Sequence, residues 1–399
     1  MGEDGMGEMM THIDGALLDG IRRAREHLHA WPELSFEEQA TAAFLAEQLE
    51  RLPLDGLRTG VGGHGLIAWV GPRGGRTVAL RAEMDGMPIQ EKTGLAFASR
   101  NAGKMHACGH DGHMAIALGV LQVLCSRRSD LPGMVKVIFQ PGEEEGAGAR
   151  GQVEAGALLD PDVDAIFGIH ARPQLGPGQI ELAEVPSAAA DAFDVAIQGS
   201  ASHGAYPQTG RDALWAGCQM VVGLQQVVCR QVPARHQAVV TVGAMGAGRA
   251  RNVIAAHAWL QGTIRTRDPD IRRRVIDAVE RVVRHTAAAA GCGVTFDLLV
   301  GYPRVHNDPG LSDLVRRVGR ALLGSQNVFE ATDITMGADD FSFYLSEQGG
   351  VPGCMIRLGV ESEQSLHSDS FDFGHQALEP GMLVLINACL ACLAAEETG

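Results

Sequence analysis

Aromatic side chains are scarce in this 399-residue chain, at 5% of the residues, while glycine is frequent, at 51. Small residues and tight turns must therefore do packing that bulky rings do elsewhere. Positive charge is also in short supply: 33 Lys and Arg stand against 48 Asp and Glu, a formal charge of −15. A surface of that sign repels phosphate backbones and argues against nucleic acid as a partner. No uncharged apolar run approaches the roughly 20 residues of a spanning helix, which argues against a membrane. Met1–Met10 is acidic and Gly-rich, unlike a secretory leader, which begins basic and continues apolar; a cytoplasmic location is expected. The eight cysteines are scattered and form no dense disulfide framework. Cys389 and Cys392 make a lone CxxC inside an apolar helical stretch, where core packing is the expected role.

Several catalytic signatures are missing too. There is no GxxxxGK[ST], no HExxH and no GxSxG. Gly60, Gly62 and Gly65 satisfy GxGxxG, but Leu66–Val70 reads as a strand. A dinucleotide site needs a helix N-terminus there, so that reading is rejected.

The length suggests two to three domains at ~150 residues each. A helix is expected over residues 14–30. Ser35-Phe36-Glu37-Glu38 reads as a capping box that starts a second helix, running to about Glu50. Buried strands are expected at Thr77–Arg81, Val135–Phe139 and Ala165–Ile169, with helical stretches at Gly112–Ser126 and Arg150–Leu158 between them. That alternation is α/β with a mostly parallel sheet. Near residue 187 the pattern changes to strands at Phe193–Gly199, Ala238–Gly243, Ala258–Arg265 and Val294–Val300, with two long helices. The α/β pattern returns after Tyr302-Pro303. The expectation is a domain over 1–187 and 302–399, interrupted by an inserted α+β domain over 188–301.

The densest chemistry is Met105-His106-Ala107-Cys108-Gly109-His110-Asp111-Gly112-His113. Three His and one Cys among glycines make a compact set of soft and borderline metal ligands, and the glycines let Cys108 and His110 turn toward one point. The plainer alternative is a polar loop capping the next helix, with Asp111 favourable at its N-terminus. Gln140-Pro141-Gly142-Glu143-Glu144-Glu145 follows a strand; adjacent carboxylates repel, so burying them needs a cation, whereas a solvated acidic turn does not. Asp85, the pair Glu143 and Glu144, and His170 each follow or end a different strand. Ligands in open α/β sheets gather beyond the carboxyl ends of strands, which makes this coincidence more informative than any one residue. His367 lies in a polar stretch after a further strand, and His203 on a Gly/Ser loop of the inserted domain; each alone reads equally as an ordinary loop histidine.

Taken in order, these segments resemble peptidase family M20, in particular its aminoacylase-like amidohydrolase branch of hippurate hydrolases, N-acyl-amino-acid amidohydrolases and indole-acetyl-amino-acid hydrolases. MHACGHDGH is the most specific motif. HAWPEL at His29–Leu34, RAEMDGMPI, FQPGEEEGAGA, the GIH ending at His170, GSASHGAYP, VVTVG, RNVI, GTIRT and LHS support it along nearly the whole chain. The resemblance implies a zinc-peptidase-like α/β catalytic domain interrupted by an α+β lid that dimerises. It implies two divalent ions (Zn²⁺ or Mn²⁺, with Co²⁺ or Ni²⁺ also suited) held by Cys108, His110, Glu144, His170 and His367, with Cys108 bridging. Glu143 would be the general base, Asp85 an orienting carboxylate, His203 a lid donor, and Asn252 a substrate contact. The implied reaction is hydrolysis of an N-acyl or N-aroyl amino acid. A specialised N-acyl-diaminopimelate-type deacylase, a dipeptidase, or a non-catalytic metal-binding protein on the same fold are the alternatives. The chain departs from the branch at Glu83, where Asp is usual, at Gly86-Met87, at Ala255 and at Asp339.

Overall fold

The computed structural model describes residues 9–332, 335–345, 347 and 350–395. The first eight residues, part of the acidic start discussed above, lie outside them. The chain divides into two compact units. One runs to Pro186 and resumes at His306; the other is Ser187–Val305, joined by a short segment ending at Asp339.

In chain order, the first unit begins with α1 (Gly15–Ala30), α2 (Gln39–Glu50), β1 (Gly56–Val61), β2 (Gly65–Val70), β3 (Thr77–Glu83) and α3 (His110–Ser126). It continues through β4 (Met134–Gln140), α4 (Glu143–Gly146), α5 (Gly148–Glu154), β5 (Ala165–Arg172) and β6 (Ile180–Leu182). The second unit holds β7 (Ala189–Gln198), α6 (Ala213–Gln231), β8 (Ala238–Ala247), β9 (His257–Thr266), α7 (Pro269–Ala289) and β10 (Gly293–Tyr302). The first unit then closes with α8 (Pro309–Leu323), β11 (Val328–Glu330), β12 (Gly353–Gly359) and α9 (Leu378–Ala394).

The first unit is built on an eight-stranded sheet of order β1-β2-β4-β3-β5-β12-β6-β11. Its centre is parallel: β4 with β3, β3 with β5, and β5 with β12. The pairings β1–β2, β2–β4 and β12–β6 are antiparallel. Every residue of β2, β3, β4 and β12 is buried, which explains their near-continuous apolar runs: such strands are covered on both faces. Gly60, Gly62 and Gly65 belong to the β1–β2 hairpin, so no helix follows that triplet. The window His375–Ala394 is long and apolar enough to cross a membrane, but 72% of it is buried inside the fold. α9 is apolar all round because it lies between other core elements, packing on α3 and α8. Cys389 and Cys392 are buried there as free thiols, in the packing role expected of them.

The second unit is a four-stranded antiparallel sheet of order β10-β7-β9-β8. β7 and β9 alternate buried and open residues because only one face is covered, by α6 and α7. Phe193, Val195 and Ile197 of β7 share a core with Met220 and Leu224 of α6 and Val275 and Val279 of α7.

The capping box does not form. α2 starts at Gln39, and Glu38 makes no side-chain cap. Glu33 caps the helix instead, accepting from the amides of Ala40 at 3.1 Å and Thr41 at 2.7 Å. Ser35 and Glu38 have been drawn away to the edge of the sheet.

Candidate metal centre

The parallel centre aims the carboxyl ends of β3, β4, β5 and β12 at one edge, and each of these ends delivers chemistry. Past β3, Asp85 is buried and accepts from Ser35 Oγ at 2.6 Å and from the Glu144 amide at 2.9 Å. Its backbone carbonyl accepts from His110 Nδ1 at 2.9 Å. Past β4, Gly142 takes a φ of 63°, a conformation open to glycine at little cost, and turns the chain into α4. Glu143 and Glu144 are thereby set on the first turn of that short helix. His170 stands near the end of β5, its Nε2 3.6 Å from Cys108 Sγ. After β12 the chain returns to the edge, where the His367 amide donates to the Ala107 carbonyl at 2.8 Å.

Six of the candidate side chains converge. The ligand atoms of Cys108, His110 and His170 lie within 4.8 Å of one another, as do those of Cys108, Glu144 and His367, and those of His110, Glu143 and Glu144. Cys108 is common to two of these triads. His203 and Asn252 belong to the second unit. There the Gly204 amide donates to the Asn252 carbonyl at 2.8 Å, and His203 pairs with Val253, so the two loops lie side by side. The Ala205 amide donates to His203 Nδ1 at 3.1 Å, which leaves Nε2 of the exposed ring to carry the proton.

The donor set fits a cation. His110 Nδ1 donates to a carbonyl, so the neutral ring would present its lone pair at Nε2, 4.0 Å from Glu144 Oε1. Both atoms are buried without a hydrogen-bond partner, a costly arrangement if nothing lies between them. Burial works against charge on His110, yet Asp85, Glu83 and Glu144 together raise its pKa to about 10. The negative field that draws a proton onto this imidazole would also favour a divalent ion. Burial pushes the Cys108 thiol well up, and Glu144, Glu143 and Glu83 push it further. A cation bound beside it would reverse that balance and favour a coordinating thiolate.

Further buried polar groups, whose partners the sequence does not reveal, support the edge. His113 Nδ1 donates to Glu83 at 2.9 Å, and the Ala171 amide donates to His113 Nε2 at 3.1 Å. Thus Glu83, β5 and α3 are tied together one residue from His170. Glu83 also pairs with the buried Arg81, so it serves two partners at once. Asp340, next to the Asp339 departure, accepts from Arg81 at 2.7 Å and from the Ala149 amide at 2.9 Å, joining β3 to α5. These are buried, mutually satisfied groups from distant parts of the chain, which no local pattern announces.

Asp111 anchors the other side of α3. It accepts from Arg25 Nε and from His29 Nδ1, both at 2.9 Å, while His29 Nε2 meets Glu91 at 3.2 Å. Burial lowers the His29 pKa, but Asp111 and the two carboxylate bonds outweigh it and raise the value to about 9. A histidine whose folded pKa is raised contributes stability that is complete below its unfolded pKa of ~6.5 and disappears as pH climbs through the folded value. The His29 contribution should therefore fall by roughly 3 kcal/mol between pH 6.5 and 9.5, read from the difference in urea midpoints between wild type and a His29 variant. His29→Gln should flatten this slope; an equal slope in the variant would remove His29 as its source.

A sheet edge that gathers Cys, His and Glu side chains able to hold a metal ion, on an α/β scaffold, fits a metallohydrolase. The chain belongs to peptidase family M20/M25/M40, whose family model matches residues 79–391. It is 38% identical to N-acetylcysteine deacetylase of Bacillus subtilis, over 92% of this chain and 94% of that protein. It is 34% identical to N-acetyldiaminopimelate deacetylase of Priestia megaterium, over 90% and 92% of the two chains. Among solved structures, the YXEP protein of Bacillus subtilis, a dinuclear metal binding peptidase from the M20 family, superposes with a TM-score of 0.85. That pair shares 32% identity over 96% of this chain and 100% of the other. The protein is accordingly an amidohydrolase acting on amide bonds, of a family that includes dinuclear metal-binding members.

Proposed function

We propose that this protein is a two-metal amidohydrolase that cleaves N-acyl or N-aroyl amino acids to a carboxylate and a free amino acid. The observation that carries the reading is the pair of ligand triads sharing Cys108, with Glu143 beside Glu144 and His110 at the same edge. Two of the relatives named above support the substrate class, since they are deacetylases of N-acetylated amino acids.

Cys108, His110, Glu144, His170 and His367 would hold two divalent ions, with Cys108 between them. Thiolate favours Zn²⁺, while the carboxylate and imidazoles also suit Mn²⁺, Co²⁺ or Ni²⁺. When bound, such ions supply an acidified water and polarise the scissile carbonyl. Glu143 takes the proton from the attacking water and returns it to the departing nitrogen, so one carboxylate serves both halves of the reaction. Asp85 fixes the His110 ring through its carbonyl and the Glu144 backbone through its side chain. In this reading the second unit is a lid. Its His203 donates to the developing oxyanion, a contact worth about 3 kcal/mol, and Asn252 touches the substrate.

The second unit is also the proposed homodimer contact. β8 is a ten-residue edge strand, and Trp215 and Val222 of α6 are exposed. Light scattering should give twice the 42.2 kDa chain mass; a single-chain mass at micromolar concentration would remove the dimer. A cytoplasmic location completes the reading, in keeping with eight unpaired cysteines.

The test is a hydrolysis screen of N-acetyl, N-benzoyl and longer N-acyl amino acids, N-acetyl-diaminopimelate included. Metal-stripped, Zn²⁺-loaded and Mn²⁺-loaded protein are compared. Turnover should appear only with metal. Hydrolysis of the diaminopimelate derivative alone would make the enzyme a specialised deacylase, and hydrolysis that ignores chelators would end the two-metal reading.

A further inference from the structure

The HAWPEL segment and the residues after it have no role in the chemistry above, yet they grip it at several points. The Gly86 amide, next to Asp85, donates to the Glu33 carbonyl at 2.7 Å. Ser35 Oγ donates to Asp85 at 2.6 Å. Glu38, fully buried, accepts from the Gly142 amide at 2.7 Å. Between Ser35 and Glu38 stands Phe36. Its φ is 64°, a left-handed conformation that costs a non-glycine residue about 1–2 kcal/mol. It also leaves 47% of its surface exposed.

Glycine would accept that backbone freely, so the ring is what phenylalanine adds. The ring lies on the acidic turn. A Cβ placed on Gly142 would meet Phe36 Cζ at 2.5 Å, and one on Gly146 would meet Cε2 at 2.9 Å. The aromatic face therefore rests on the bare backbone at both ends of α4, the helix that carries Glu143 and Glu144. Neither end of the turn could hold a side chain without displacing it.

We infer that Glu33–Glu38 is a strap that positions the acidic turn, with Phe36 as its clamp on Glu143 and Glu144. This rests on the functional reading above only in the roles given to those two carboxylates. Phe36 is a positioning residue and touches no reacting atom. Small displacements of a base or ligand are costly, since a shift of about 1 Å can lower a rate by about 100-fold.

The test compares Phe36→Gly, which frees the backbone and deletes the ring, with Phe36→Tyr, which keeps the ring. In the metal-free protein, amide exchange at Gly142 and Glu144 should be about tenfold faster in Phe36→Gly, because local opening of the turn becomes easier. Mn²⁺ affinity by calorimetry and kcat should each fall by about tenfold, with KM within about threefold of wild type. The thermal midpoint should stay within about 4 °C, because relief of the strained φ offsets the lost contact. Phe36→Tyr should restore all of these values.

Exchange at Gly142 and Glu144 within about twofold of wild type in Phe36→Gly would overturn the strap. A general rise in exchange along α2 with a falling midpoint and no rescue by tyrosine would also overturn it, making Phe36 an ordinary packing residue. A wild-type protein without amidase activity would defeat the functional reading alone, since the exchange arm needs neither metal nor substrate.

Discussion

Glu143→Gln should bind metal as the wild type does and lose roughly 10²–10⁴-fold in kcat, with KM little changed. The substitution keeps the size and hydrogen-bonding reach of the side chain but removes its capacity to take up a proton. Glu144→Gln should behave in the opposite order. Glu144 shares a triad with Cys108 and His367 as well as one with His110 and Glu143. Weakening it should lower metal content first, and activity only as a consequence. The two neighbours are thus separable by measuring metal stoichiometry and kcat on each variant. Full turnover in Glu143→Gln would take the base from Glu143, and metal loss in that variant would make it a ligand instead.

Cys108→Ala should produce the second large effect. Removing the residue common to two triads should weaken metal binding more than about 100-fold, beyond the 10–100-fold typical of outer-shell changes. Cys108→Asp should recover much of the affinity, because a carboxylate can also bridge two ions and needs no deprotonation against the local field. Coordination by the thiolate requires loss of a proton that burial, and then Glu144, Glu143 and Glu83, help to retain. Metal uptake by the wild type should therefore release protons and weaken as pH falls, and the Cys108→Asp protein should show a shallower dependence. Calorimetry in buffers of different ionisation enthalpy measures this directly. Unchanged affinity in Cys108→Ala would place the ions elsewhere.

The candidate ligand positions are legible because they sit in short motifs at the ends of long apolar strands, where period and burial are plainest. β3, β4 and β5 came from such runs, and parallel pairing then brought Asp85, Glu143, Glu144 and His170 to one edge. The three-residue strands β6 and β11 were invisible: three residues carry no period. The capping box failed for a different reason. Ser35 and Glu38 have the spacing of a cap, but Asp85 and the Gly142 amide, distant in sequence, claim their side chains. His113 could be read only as one more ligand of a crowded motif; its bonds to Glu83 and the Ala171 amide make it a tie between three elements. Glu83 stood out as a departure from the usual Asp, and the fold gives it Arg81 and His113 together. What stayed hidden in the sequence is the set of polar groups whose partners are chosen by the tertiary structure.

Two cations are expected at the edge of the first unit's sheet. Anomalous diffraction from crystals of the Zn²⁺-loaded protein, collected on either side of the zinc absorption edge, tests this without reference to any substrate. The expected map has two strong peaks, one bounded by Cys108, His110 and His170 or Glu144, the other by Cys108, Glu144 and His367, in sites that share the cysteine. Zinc bound at other residues, or no anomalous density beside Cys108, would contradict the account.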